Sequence, residues 1–135
     1  MKNPFTPRGY LQLSSLTLLA LGLFSFIFPR GVVPGLGAAW WFDLSEGVVH
    51  LGIAAILFAG AKFLSDKSAR TLVLITGIVG TITALYGFTL PNGPLGTFNA
   101  LGIGNLEPAD NVFHLFGGVW ALYVAYASRG ARSSG

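Results

Sequence analysis

The sequence predicts an all-α fold, a four-helix transmembrane bundle made by parallel internal duplication of a two-helix unit. Three observations lead there. Of the 135 residues, 53% are hydrophobic and 10% charged, against about a quarter charged in an ordinary soluble domain. The apolar residues fall into four long runs, and a short acid–histidine pattern occurs twice. With so few charges to cover a water-facing surface, lipid is the expected solvent.

The first run, from Tyr10 to Phe28, follows Lys2 and Arg8. It is close to the ~20 residues a helix needs to cross a ~30 Å hydrocarbon layer. Its basic start is like that of a signal peptide, but the run is long and no small-residue cleavage site follows closely. It is read as a retained span. The segment Pro29 to Asp43 is rich in Gly and Pro, and Trp40, Trp41 and Phe42 fit an aromatic belt at the headgroups. Pro34 and the glycines around it favour a short interfacial turn over a long helix.

The second run spans Leu44 to Leu64 and the third Thr71 to Leu90, with Lys62, Lys67 and Arg70 at their junction. A second loop poor in cations, Pro91 to Glu107, contains Gly102-Ile103-Gly104, which is too short to cradle phosphate and opens no helix. The fourth run is Pro108 to Ala127, followed by Arg129 and a tail, Arg132 to Gly135, expected to fray. No run shows strand alternation. Since each must satisfy its own backbone hydrogen bonds in lipid, all four are read as helices. The chain is thus expected to form a single integral membrane domain, residues 1–135.

If the spans alternate, Lys2, Arg8, Lys62, Lys67, Arg70, Arg129 and Arg132 share one side, and Arg30, Asp43, Glu46, Glu107 and Asp110 the other. The excess of Lys and Arg predicts that both termini are cytoplasmic. Plasma (inner) and thylakoid membranes make the same demand on hydropathy. The net charge of +3 is scattered, which argues against nucleic acid as a partner, and the absence of cysteine excludes disulfides, thiolate metal sites and thiol catalysis.

Glu46-Gly47-Val48-Val49-His50-Leu51 matches Asp110-Asn111-Val112-Phe113-His114-Leu115 at an offset of 64 residues. The ends of the odd runs match too, Phe28-Pro29-Arg30-Gly31 against Leu90-Pro91-Asn92-Gly93. The repeat units are then about 10–64 and 71–127. Because runs one and three point the same way, the repeat is parallel, with a pseudo-two-fold axis along the membrane normal. His50 and His114 fall at equal depth.

The stretch Pro108-Ala109-Asp110-Asn111-Val112-Phe113-His114-Leu115-Phe116-Gly117 resembles the signature of a bacterial membrane family known as domain of unknown function 4383. That resemblance implies four spans, an A-D-N-x-x-H-L-x-x-G opening to the last, an N-x-x-H-L opening to the second, and no particular activity. The first repeat departs from the pattern, with Gly47 in place of the family's Asn and Glu46 where His is frequent.

Residues four apart share a helix face, so Glu46 pairs with His50 and Asp110 with His114. Three readings stay open. In the first, the acids finish helix starts: Asp43 as N-cap with Glu46 at N3, and Pro108 at N1 with Asp110 at N3. The histidines, about 10 Å along their helices, then hydrogen-bond to Ser25, Thr83 or Tyr86. In the second, His50 and His114 are axial ligands of a haem, or one of them of a chlorophyll, with Ala54 and Gly118 one turn below leaving room for the macrocycle. In the third, Glu46, His50, Asp110 and His114 hold a metal or relay protons.

Small-residue stripes mark helix contacts: Thr76, Gly80 and Ala84 in run three, and Gly117, Gly118, Ala121 and Ala125 in run four. The adjacent Gly117 and Gly118 suggest two contact faces, one available to a partner helix of the same or another protein. No nucleophile–base set is present. The leading expectation is therefore a non-enzymatic accessory or structural membrane subunit, embedded in a lipid bilayer.

Overall fold

The computed structural model describes residues 2–28, 31–32, 41–90, 99–100 and 104–129. Four helices make up the fold: α1 (Pro7–Ile27), α2 (Leu44–Phe63), α3 (Asp66–Thr89) and α4 (Pro108–Ala127). Between α1 and α2 lie β1 (Gly31–Val32) and β2 (Trp41–Phe42), and between α3 and α4 lie β3 (Asn99–Ala100) and β4 (Gly104–Asn105). Each pair of strands is antiparallel. The interfacial turns expected in these loops therefore contain short backbone ladders, which pair polar groups that a bilayer surface would leave unmet. Arg30, Pro34, Trp40, the Pro91–Gly93 match, Gly102-Ile103 and the C-terminal tail lie outside the described residues, as do the side chains of Trp41 and Phe42.

Two helices begin earlier than the apolar runs suggest. Thr6 Oγ1 accepts the Gly9 N–H at 3.2 Å with Pro7 at the first helical position, so α1 starts before Tyr10. Ser65 Oγ accepts the Ser68 N–H at 3.2 Å, which starts α3 at Asp66 and brings Lys67 and Arg70 into its first turns. In both cases the cap, not the first apolar residue, sets the boundary. Only Leu64 and Ser65 separate α2 from α3.

The helices pack as two antiparallel pairs, α1 with α2 and α3 with α4, each far closer within itself than to the other. Small residues permit the approach. A Cβ on Gly47 would lie 2.5 Å from Ser25 Cβ, and one on Gly118 would lie 2.6 Å from the Thr81 nitrogen. Gly87 likewise leaves its side-chain space to Asn111. The two pairs join through Tyr10, Leu11, Leu57, Ala61, Ala69, Val73, Ala121, Val124 and Ala125, all toward the end where α1 and α3 begin. There the Tyr10 hydroxyl donates to Gly117 O at 3.1 Å and its ring meets Trp120 edge-on at 5.0 Å.

At the same end, arginines satisfy helix carbonyls that have no partner within their own helix. Arg8 donates from Nη1 to Ala61 O at 2.8 Å and from Nη2 to Leu64 O at 2.6 Å, while its Nε meets Asp66 at 2.9 Å. Arg70 Nε donates to Ala125 O at 2.8 Å.

The outer faces are apolar. Ile27, Ile82 and Phe116 are 67%, 60% and 71% exposed, a surface suited to lipid and ill-suited to water. Helices α1, α2 and α3 are long and apolar enough to cross a membrane. Helix α4 has matching length but carries Asp110, Asn111 and His114 in its first two turns.

Candidate functional site

Helices α2 and α4 begin side by side at the opposite end from the apolar core. Asp43 caps α2, its Oδ1 accepting the Glu46 N–H at 2.8 Å, so Glu46 stands at N3 and His50 one turn on. Helix α4 opens with Pro108 and places Asp110 at N3, with Asn111 beside it and His114 one turn on. Its cap position is Glu107, whose side chain makes no cap hydrogen bond.

These starts converge. Carboxylate oxygens of Glu46, Glu107 and Asp110 lie within 4.8 Å of one another. All three residues are buried, at 7%, 0% and 5% exposure. His50, 8% exposed, brings Nδ1 to 3.8 Å from Glu46 Oε1.

Among the described residues, no donor is aligned to Glu46 Oε2, and His50 Nδ1 and His114 Nδ1 make no hydrogen bond. Among the described residues, no N–H or hydroxyl of another residue is aligned to either Glu107 oxygen. Its carboxyl instead faces that of Asp110 at hydrogen-bonding range, a contact that holds only when one of the two carries a proton. Burial, that shared hydrogen bond and the charges of Asp110 and Glu46 push the Glu107 carboxyl up to about 10.

Magnitudes show why. Two unit charges 4.8 Å apart repel by roughly 3.5 kcal/mol at an effective dielectric constant of about 20. Three ionised carboxylates make three such pairs, roughly 10 kcal/mol, comparable to the whole stability of a small domain. Two helix N-termini offset about one unit of charge between them. About two negative charges remain, the charge of one divalent cation, and a buried cluster of this kind needs protons or a metal ion.

The residues singled out from the sequence fall into two groups. Glu46, His50 and Asp110 come together, and His50 and His114 lie within electrostatic range of one another. The Ser25 hydroxyl donates its proton to Leu21 O at 3.2 Å rather than to a histidine. The room expected beside Gly118 is taken by α3, whose Gly80 and Thr81 press against it. Ala54 is buried, and Ala84 and Ala121 are fully so. Gly117 differs from its neighbour: among the described residues nothing lies within 4 Å of where its side chain would be, and its carbonyl accepts from the Tyr10 hydroxyl.

Glu107 is the participant that sequence reasoning overlooked. It stands 64 residues after Asp43, so the offset that relates the histidines also marks it as the second helix cap. A glutamate is one methylene longer than the aspartate that caps α2. This one turns away from its own helix start and into the cluster.

Carboxylate oxygens with an imidazole nitrogen form a mixed donor set suited to Mn, Fe or Zn in the divalent state. No family model, no curated protein and no solved structure matches the chain.

Proposed function

We propose that this chain is a small, non-enzymatic integral membrane protein that binds one divalent transition-metal cation in the cluster of Glu46, Glu107, Asp110 and His50. One observation carries the reading: three buried carboxylates from two helix starts converge, and one of them, Glu46, lies 3.8 Å from a buried imidazole nitrogen of His50 that has no hydrogen-bond partner among the described residues. The cation supplies the charge that the two helix N-termini leave unbalanced.

The reading includes four spans. Helix α4 packs along α3 and turns Asp110 and Asn111 inward, 5% and 3% exposed, while Val112, Phe116, Val119 and Tyr123 face outward. A helix with its polar residues inside and an apolar exterior is suited to a bilayer when it travels with partners. The arginine-rich ends, with Lys62 and Lys67, then lie in the cytoplasm, and the cluster lies toward the other face.

Internal duplication is part of the same proposal, and several contacts support it. Arg8 bonds Ala61 O as Arg70 bonds Ala125 O. The arginines stand 62 residues apart and the alanines 64, the same offsets as the Phe28/Leu90 and His50/His114 matches. Ser25 against Gly47 corresponds to Gly87 against Asn111, with the larger partner exchanged between helices.

The test is titration of detergent-purified, chelator-washed protein with Mn²⁺ followed by electron paramagnetic resonance, and with Zn²⁺ by calorimetry. One ion per chain is expected, with affinity reduced at least about 10-fold in Glu107→Gln and in His50→Ala. Folded protein that takes up neither ion stoichiometrically would overturn the proposal, and a visible Soret band lost in both His50→Ala and His114→Ala would replace it with porphyrin binding.

A further inference from the structure

We infer that the cation acts as a clasp, holding the α1–α2 pair to the α3–α4 pair at the end where α2 and α4 begin. This rests on the cation reading above and adds to it what binding does to the fold.

Within each pair the helices are zipped at backbone distance by Gly47 against Ser25 and Gly118 against Thr81. Between the pairs, contact is sparse and unevenly placed. One end has the shared apolar core, the Arg8–Asp66 ion pair and the Tyr10 bond to Gly117. At the other end, Glu46 of the first pair meets Glu107 and Asp110 of the second. The three carboxylates tolerate this closeness only with protons or a cation among them, whereas apolar packing holds the far end.

His50 is the independent sign that this junction is built for a ligand. It lies on the first pair, is more than nine-tenths buried, and aims an unbonded Nδ1 at the Glu46 carboxylate. An ion taking donors from Glu46 and His50 on one side and Glu107 and Asp110 on the other ties both pairs to one centre. Without it, the bundle has a fixed end and a loose one, and pairs of packed helices shift as rigid bodies.

The chain has no cysteine, so spin labels can be placed cleanly. Leu44→Cys with Val112→Cys reports on the cluster end, both residues being exposed. Phe63→Cys with Tyr126→Cys reports on the core end, again at exposed positions. Double electron–electron resonance is recorded on the whole protein with chelator and then with saturating Zn²⁺, whose uptake by the same labelled sample is measured by calorimetry. Expected is a Leu44–Val112 distance that narrows and shortens by about 2 Å with Zn²⁺, an unchanged Phe63–Tyr126 distance, and no response to Zn²⁺ in Glu107→Gln. Zn²⁺ bound with both distances unchanged overturns the clasp and leaves the cation site standing. No Zn²⁺ bound overturns both.

Discussion

Replacing Gly118 by alanine should destabilise the protein, whereas the same replacement at Gly117, one residue away, should not. A Cβ at Gly118 would come within 2.6 Å of the Thr81 nitrogen and 3.0 Å of the Gly80 carbonyl carbon, both backbone atoms that no rotamer change can move aside. Restoring an ordinary contact of about 3.4 Å means moving α3 and α4 apart by about 0.8 Å, with loss of packing on both sides of the contact. Overpacking of this kind costs about 1–3 kcal/mol, less up to about 1 kcal/mol that alanine returns through helix propensity. At Gly117 there is nothing within 4 Å to meet the new methyl, so only the propensity gain remains and the change is neutral or stabilising. Thermal unfolding in detergent, followed by tryptophan fluorescence, compares the two. Equal shifts for both variants, or a stabilised Gly118→Ala, would refute the close approach of α3 and α4 at this point.

Arg8→Ala, which removes two hydrogen bonds to helix carbonyls and an ion pair, should cost about 2 kcal/mol, and Arg70→Ala, which removes one such bond, about half that; unfolding in the same detergent ranks them. Cation affinity should rise with pH. The Glu107 carboxyl, pushed up to about 10, holds a proton through the neutral range that the ion must displace, so calorimetry in buffers of differing ionisation enthalpy should register proton release on Zn²⁺ binding. The metal-free protein has the matching stability profile. A carboxyl raised in the fold contributes fully below its ordinary range, and that contribution is lost as pH rises from about 4.5 toward about 10, by up to about 1.4 kcal/mol per unit. Melting temperature without metal should therefore fall between pH 6 and pH 9, and saturating cation should restore it.

Much of the fold is legible in the residues themselves. Apolar run length places all four helices, and Pro108 locates the start of α4, because those features act within one segment. Asp43 is recognisable as a cap for the same reason. The roles of Arg8 and Arg70 are not, although both residues stand out as charges flanking apolar runs. The carbonyls they bond belong to residues more than fifty positions later, and only the packed pairs bring them within reach. The site divides along the same line. Acid–histidine spacing on one helix face is readable from sequence, whereas convergence of Glu46 with Glu107 and Asp110 depends on how two separately packed pairs meet. The bundle leaves Gly118 for α3 to fill and Gly117 for open space, a distinction of one residue that helical periodicity alone does not resolve.

The exchange of large and small partners between the two pairs bears on how the chain avoids assembling wrongly. On the duplication proposed above, α1 and α3 are alternative partners for α2 and α4. If α1 took α4, Ser25 would face Asn111 where α3 offers Gly87, and two side chains would contend for one space. If α3 took α2, Gly87 would face Gly47 and leave a hole. Neither mismatched pair can close at backbone distance without a clash or a void, so each helix selects its neighbour by volume. If the two hairpins are copies of one unit, as proposed above, this difference in volume lets them sort into a single arrangement.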